Sequence, residues 1–82
     1  MNTERAILKS RLSALKIKKM DLETQAAAHI ADAKTLLAAA SIRPLSEIDV
    51  DAAAYLLKEA AQMKKDLARV VADISRIKQE LE

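Results

Sequence analysis

The side chains that could carry nucleophilic or acid–base chemistry are few in this 82-residue chain. His29 is the only histidine and there is no cysteine, so a catalytic triad would need this imidazole beside one of the serines. No serine stands in a plausible arrangement with a histidine and an acid, and no glycine is present to form a phosphate-binding loop. We therefore predict that the chain is not an enzyme and has no catalytic or cofactor-binding residues.

Two groups of residues have the chemistry of metal ligands but lack the required pattern. His29 has only Asp32 within one helical turn, with no second imidazole and no thiolate. Glu47, Asp49 and Asp51 alternate as in a calcium loop, but the turn glycine and the closing glutamate are missing. This second group is explained without a metal, because acidic residues stabilise the positive end of the dipole of the helix that follows. We predict no metal site, and we expect the histidine to tune helix register or respond to pH.

Composition predicts an all-α fold. The chain has 17 alanines and 11 leucines but one tyrosine and no phenylalanine, tryptophan or glycine. Aromatic side chains bury the largest areas in globular cores, so their near absence favours helices packed along a seam. The lack of cysteine and of any long uncharged stretch predicts a cytoplasmic protein without a membrane segment.

The second half of the chain carries the clearest helical pattern, with apolar residues at alternating spacings of three and four. The a positions of this heptad repeat are Ala53, Ala60, Leu67, Ile74 and Leu81, and the d positions are Leu56, Met63, Val70 and Ile77. The g positions are acidic, while the e positions alternate between apolar Leu57 and Val71 and two lysines. The apolar e residues widen the face beyond what one partner helix covers, which predicts an assembly of more than two helices.

The first helix is less regular. Leucines at seven-residue spacing, with His29 in one of their places, define its inner face, and Arg5 and Lys19 interrupt the companion positions. Because a straight helix of 3.6 residues per turn drifts off a seven-residue repeat, we expect Ile30 and Leu37 to turn inward near its end.

The only proline predicts the bend between the two helices. Pro44 removes a backbone donor and clashes with a preceding helical turn, so the first helix should end just before it. Ser46 is the predicted N-cap of the second helix, with Asp49 three residues later as a capping-box acid. The chain should therefore form a single antiparallel hairpin. The predicted bounds are 1–82 for the domain, about 3–42 for helix 1, 43–46 for the bend and about 47–81 for helix 2.

Apolar side chains outside the seam predict association. An isolated hairpin would leave them in water, so we expect two hairpins to form a homodimer, a four-helix bundle. Tyr55, Leu57 and Val71 are candidate residues for binding another protein, although Tyr55 could instead cover the alanines beside it. The favoured function is a regulatory interaction module, including the small accessory proteins with which phages and mobile elements inhibit a host enzyme. A structural oligomerisation subunit of a larger complex is an alternative.

Charge is distributed unevenly along the hairpin. Residues 1–20 and 63–82 hold eleven basic and five acidic side chains, a net charge of +6, whereas residues 21–62 hold three basic and seven acidic, a net charge of −4. Five basic residues follow one another without an intervening acid: Lys9, Arg11, Lys16, Lys18 and Lys19. They could bind the phosphates of RNA or DNA. We favour the alternative that they face the acidic g positions of the second helix, because no aromatic residues are interleaved for base stacking.

Overall fold

The computed structural model describes residues 2–82, which fold as an antiparallel hairpin of two long helices. Helix α1 spans Asn2–Ala38 and helix α2 spans Val50–Leu81. Two short 3₁₀ helices, Ala39–Ser41 and Leu45–Glu47, lie between them. No strand occurs in the described range. The predicted all-α, two-helix hairpin is confirmed.

The backbone forms a thin rod with dimensions of 65 × 14 × 14 Å, to which the side chains add further width. Its length follows from the 37 residues of α1, which at 1.5 Å per residue span about 55 Å before the bend is added. One end of the rod, the open end, carries both ends of the described chain, and the other carries the bend. Within residues 2–82, neither helix contains a segment long and apolar enough to cross a membrane.

The inner face of α2 follows the predicted seam. Its buried residues all occupy a or d positions, and the remaining a and d residues are half-buried. Those buried residues are Ala53, Ala60, Val70, Ile74 and Ile77. The acidic g residues Glu59, Asp66 and Asp73 are also half-buried, whereas Leu57 and Val71 at e positions are exposed. The g edge of α2 is therefore turned toward α1, and the e edge is turned outward.

The inner face of α1 keeps its seven-residue repeat to the end of the helix, so the expected drift is wrong. His29 and Leu36 are half-buried, while Ile30 and Leu37 remain 41% and 40% exposed. Two helices that wrap around each other keep residues seven apart on the shared seam, which a straight isolated helix would not do. Packing against α2 therefore sets the orientation of α1.

Alanines are the most buried residues between the helices in the bend half. Ala33 and Ala53 are each 1% exposed, and among residues 2–82 no large side chain is fully buried. Small side chains let the helix axes approach closely, but each methyl group removes little apolar area from water. The hairpin is therefore held by a narrow seam and lacks the closed core that usually stabilises a domain.

The α-helical part of α1 ends earlier than predicted. It stops at Ala38, and a 3₁₀ turn continues the chain to Ser41, whose hydroxyl donates to the Ala38 carbonyl at 3.1 Å. The Arg43 amide then donates to the Ala39 carbonyl at 2.9 Å. These bonds satisfy carbonyls at the helix end before the proline makes further helix impossible.

The start of α2 also differs from the prediction, because Asp49 and not Ser46 is its N-cap. Oδ1 of Asp49 accepts a hydrogen bond from the Ala52 amide at 3.0 Å. Ser46 lies inside the 3₁₀ helix Leu45–Glu47 and makes no cap. Because the chain leaves the proline in an extended conformation and then forms this turn, α2 begins at Val50, three residues later than predicted.

Candidate interaction surfaces

An apolar groove runs along the outward edge of the hairpin and has a volume of about 520 Å³. Residues of both helices line it: Leu22, Ala26, Ala27, Ile30, Leu57, Ala60, Ala61, Met63 and Leu67. Glu23 and Lys64 are the charged residues along it. In α1 the inward residues seven apart, from Leu8 to Leu36, take the d positions of a heptad repeat. Glu23 and Ile30 each follow one of them and so take e positions, and the groove is where the e positions of the two helices meet. The e edge of the hairpin is therefore apolar over its central part.

A basic pocket of about 350 Å³ continues the same edge toward the open end. Lys16, Lys19 and Lys78 line it together with Met20, Glu23 and Ile74. Glu23 belongs to both concavities, and Nζ of Lys19 lies 4.0 Å from its Oε1. With three lysines and one glutamate, the pocket is positive. We call the apolar groove and the basic pocket together the open face.

The structure separates the three residues predicted to bind a partner. Leu57 and Val71 lie on the outward e edge and are 44% and 42% exposed. Tyr55 is at a c position, on the opposite side of α2 from that edge. Its side chain is 62% exposed, which favours an accessible aromatic residue over one that covers the alanine layer. These residues therefore belong to two surfaces.

The predicted phosphate-binding residues are all exposed, but they do not form one stripe. Lys9 and Lys16 take e positions of α1, Arg11 and Lys18 take g positions, and Lys19 falls on the seam side. The hairpin therefore distributes their charge over both of its edges. A ligand that contacted all five would have to wrap around α1.

The expected pairing of these basic residues with the acidic g edge of α2 does not produce direct ion pairs. Within residues 2–82, the ion pairs at 4.0 Å or less each join residues of one helix, Lys19 with Glu23 and Arg76 with Asp73. Two of the g carboxylates instead contact neighbours on α2: Nη2 of Arg76 lies 3.0 Å from Oδ1 of Asp73, and the Gln62 amide donates to Asp66 at 3.1 Å.

The residues considered for metal binding have other roles in the fold. His29 is half-buried on the α1 seam. Asp49 caps α2 and Asp51 lies in its first turn, where carboxylates stabilise the positive end of the dipole. In the part of the chain that the structure describes, no group of three or more histidine, aspartate or glutamate side chains could hold a metal ion.

Sequence reasoning missed the exposed apolar residues of the bend. Ile42 and Leu45 are 82% and 78% exposed, the highest values among the large apolar residues of the described range 2–82. They flank Pro44, and backbone hydrogen bonds hold the turn on both sides, from the Ile42 amide to Ala39 at 3.1 Å and from the Ile48 amide to Leu45 at 3.0 Å. Apolar residues beside a bend proline were the available signal. We call residues 42–47 the tip.

A second missed contact closes the open end. Nη1 of Arg5 donates to the Leu81 carbonyl at 3.0 Å and so joins the first turn of α1 to the last turn of α2. The cation satisfies a carbonyl at the negative end of the α2 dipole. No sequence pattern predicts this contact, because its acceptor is a backbone atom. Arg5 therefore has a structural role at a position that interrupts the seam.

Comparison of the chain with models of known protein families, with curated proteins and with solved structures finds no significant match.

Proposed function

We propose that this chain is a non-enzymatic interaction module that dimerises through its open face into a four-helix bundle and binds another protein. The observation that carries the proposal is the combination of a narrow seam with an exposed apolar groove. Water contact along the groove is unfavourable by roughly 25 cal/mol for each Å² of apolar surface, so covering it provides a driving force for association.

The accessible surface area supports a second copy of the chain as the partner that covers the apolar groove. The chain exposes 6353 Å², whereas a compact monomer of 9.0 kDa exposes about 4,900 Å². The excess is roughly 1,500 Å², and a stable interface removes about 800 Å² from each partner. One face of the rod can therefore be covered by a second hairpin, with surface left over for a further protein.

The tip and Tyr55 are the surfaces we assign to that further protein, because neither belongs to the open face. Ile42 and Leu45 project from a turn fixed by backbone hydrogen bonds, so binding through them needs little loss of conformational freedom. This end of the rod has a net negative charge, because Glu47, Asp49 and Asp51 outnumber Arg43. The partner that fits is a protein with a small apolar pocket and a basic rim, which is consistent with a regulatory or inhibitory role.

Sedimentation equilibrium of the unmodified chain tests the self-association on which this proposal depends. We expect a mass of about 18 kDa, twice the chain mass of 9.0 kDa, at micromolar concentration. A helical, cooperatively melting species with the mass of one chain under these conditions would overturn the proposal.

Nucleic-acid binding is the second candidate, favoured by five exposed basic residues that make no ion pair with α2. Phosphate contacts of this kind weaken steeply as salt concentration rises. Filter binding to single-stranded RNA and duplex DNA should then show retention at low salt that falls at physiological salt. No retention at low salt would eliminate this candidate.

A further inference from the structure

We infer that the two hairpins of the dimer stack open face against open face in antiparallel orientation, so that the open end of each protomer lies over the bend half of its partner. This inference rests on the proposed homodimer and adds the relative orientation of its subunits. Two hairpins that meet through these faces can also be parallel, with both open ends together. Charge, the position of the apolar groove and buried area distinguish the two arrangements.

Charge favours the antiparallel arrangement. The open half, residues 2–20 and 63–82, has a net charge of +6, and the bend half, residues 21–62, has −4. A parallel dimer places two positive halves together and brings the lysines of both basic pockets, six side chains, to one level of the bundle. An antiparallel dimer places each positive half beside a negative half. Like charges held within about 10 Å of each other repel at physiological salt, so the parallel arrangement is disfavoured.

The apolar groove defines where the twofold axis of such a dimer passes. Ala27 and Ala61 lie near the middle of the groove, and their small side chains allow the facing helices to approach closely. Lys16 is eleven residues from Ala27, which is about 16 Å along the rod at 1.5 Å per residue. Asp49 is twelve residues from Ala61 in the opposite direction, about 18 Å. A half-turn about the axis therefore brings the lysines of one protomer to the level of the α2 cap of the other.

The shared length is sufficient for a stable interface. The axis at Ala27 lies eleven residues, about 16 Å, from the end of α1 at Ala38, and the bend adds about 10 Å beyond it. Two 65 Å rods related by this axis therefore overlap over about 50 Å. A face of two helices about 20 Å wide then buries on the order of 900 Å² of each protomer, close to the 800 Å² of a standard interface. The apolar grooves lie against each other at the centre, and the basic pockets lie toward the ends.

The antiparallel arrangement also gives the basic pocket a role. In this dimer Lys16 and Lys78 are attracted to the negatively charged bend half of the partner, and this attraction helps to set the orientation of the subunits. The partner also covers part of both side chains. Arg11 and Lys18, at g positions, remain outside the interface. Any phosphate binding by the dimer would therefore depend on the g residues.

Spin-label distances test the orientation. The chain has no cysteine, so Ser10→Cys, at an exposed position near the open end, gives one label in each protomer. In an antiparallel dimer the two labels are about 50 Å apart along the bundle, because each lies seventeen residues from the axis. In a parallel dimer they lie at one level, about 30 Å apart or less. A short distance would overturn the inference.

A second label separates failure of the inference from failure of the dimer. Gln62→Cys lies beside the axis at an exposed c position, so a label there is within about 30 Å of its counterpart in either orientation. If the Gln62→Cys label gives an intermolecular distance and the Ser10→Cys distance is short, the chain dimerises but the antiparallel orientation is rejected. Absence of any intermolecular distance from both labels would mean that the chain does not dimerise, which rejects the proposed function as well.

The salt dependence of dimerisation is an independent test, because the Kd should change in opposite directions for the two arrangements. Salt screens attraction between unlike halves, so the Kd of an antiparallel dimer should rise by roughly tenfold between about 0.05 and 0.5 M NaCl. The Kd of a parallel dimer should fall over this range, because salt screens repulsion between like halves. A falling Kd in sedimentation equilibrium would contradict the inference without affecting the existence of the dimer.

Discussion

Asp49 determines where α2 begins, and the competition between Asp49 and Ser46 shows what local sequence leaves open. Both residue types accept hydrogen bonds from helix N-terminal amides, and both precede a helical pattern. The choice depends on the backbone after Pro44, which enters a 3₁₀ turn that already includes Ser46. The existence and approximate place of the helix start were predictable, but the capping residue was not.

Substitution of these two residues tests the assignment. Asp49→Ala removes the acceptor of the 3.0 Å bond from the Ala52 amide and should lower the free energy of unfolding by about 1 kcal/mol. Ser46→Ala is the matched control and should change it by no more than about 0.5 kcal/mol, because Ser46 makes no cap. Urea denaturation at fixed protein concentration measures both. A larger loss from Ser46→Ala would show that the helix begins at the earlier residue.

The two helices differ in how much of their packing the sequence determines. The heptad positions of α2 are readable because its apolar residues occupy one face, and every a and d residue is buried or half-buried. Helix α1 has apolar residues on several faces, including the 61% exposed Ile17 and the 67% exposed Met20. Its orientation is therefore set by contact with α2, and periodicity alone led to the wrong inward residues near the bend.

The close alanine contact in the bend half is tested by enlarging one side chain. Ala53→Leu inserts a large group where the present residue is 1% exposed and should lower the free energy of unfolding by about 1–3 kcal/mol through overpacking. Ala72→Leu places the same side chain at an exposed position and should change stability by no more than about 0.5 kcal/mol. Thermal unfolding followed by circular dichroism compares the two at one concentration. Equal melting temperatures would show that the helices are not closely packed at Ala53.

At the scale of the whole molecule, the sequence predicted the ingredients of the interaction surfaces but not their grouping. Leu57 and Val71 were identified because they occupy e positions beside a clear seam. Tyr55 lies on a different side of α2, and Ile42 and Leu45 become prominent only when the bend is seen to leave them in water. The charge difference between the two ends follows from the sequence once the hairpin is assumed. The position of this charge difference relative to the apolar groove is visible only in the structure.

A charge introduced into the open face should weaken dimerisation, because the dimer would bury it, whereas the same charge on the opposite side of α2 should not. Leu57→Glu places a carboxylate in the apolar groove, twice in a symmetric dimer, and should raise the Kd by about a hundredfold or more. Gln62→Glu adds the same charge at an exposed c position away from the groove. It also removes the hydrogen bond from Gln62 to Asp66, a local effect within α2, and should leave the Kd within about threefold. Circular dichroism should show both variants to be helical.

Sedimentation equilibrium of this pair tests the central claim, that the open face is the dimer interface, most directly. We predict a species of about 9 kDa for Leu57→Glu and of about 18 kDa for Gln62→Glu at the same micromolar concentration, from the chain mass of 9.0 kDa. A Leu57→Glu variant that remains dimeric, or a Gln62→Glu variant that dissociates equally, would contradict the claim.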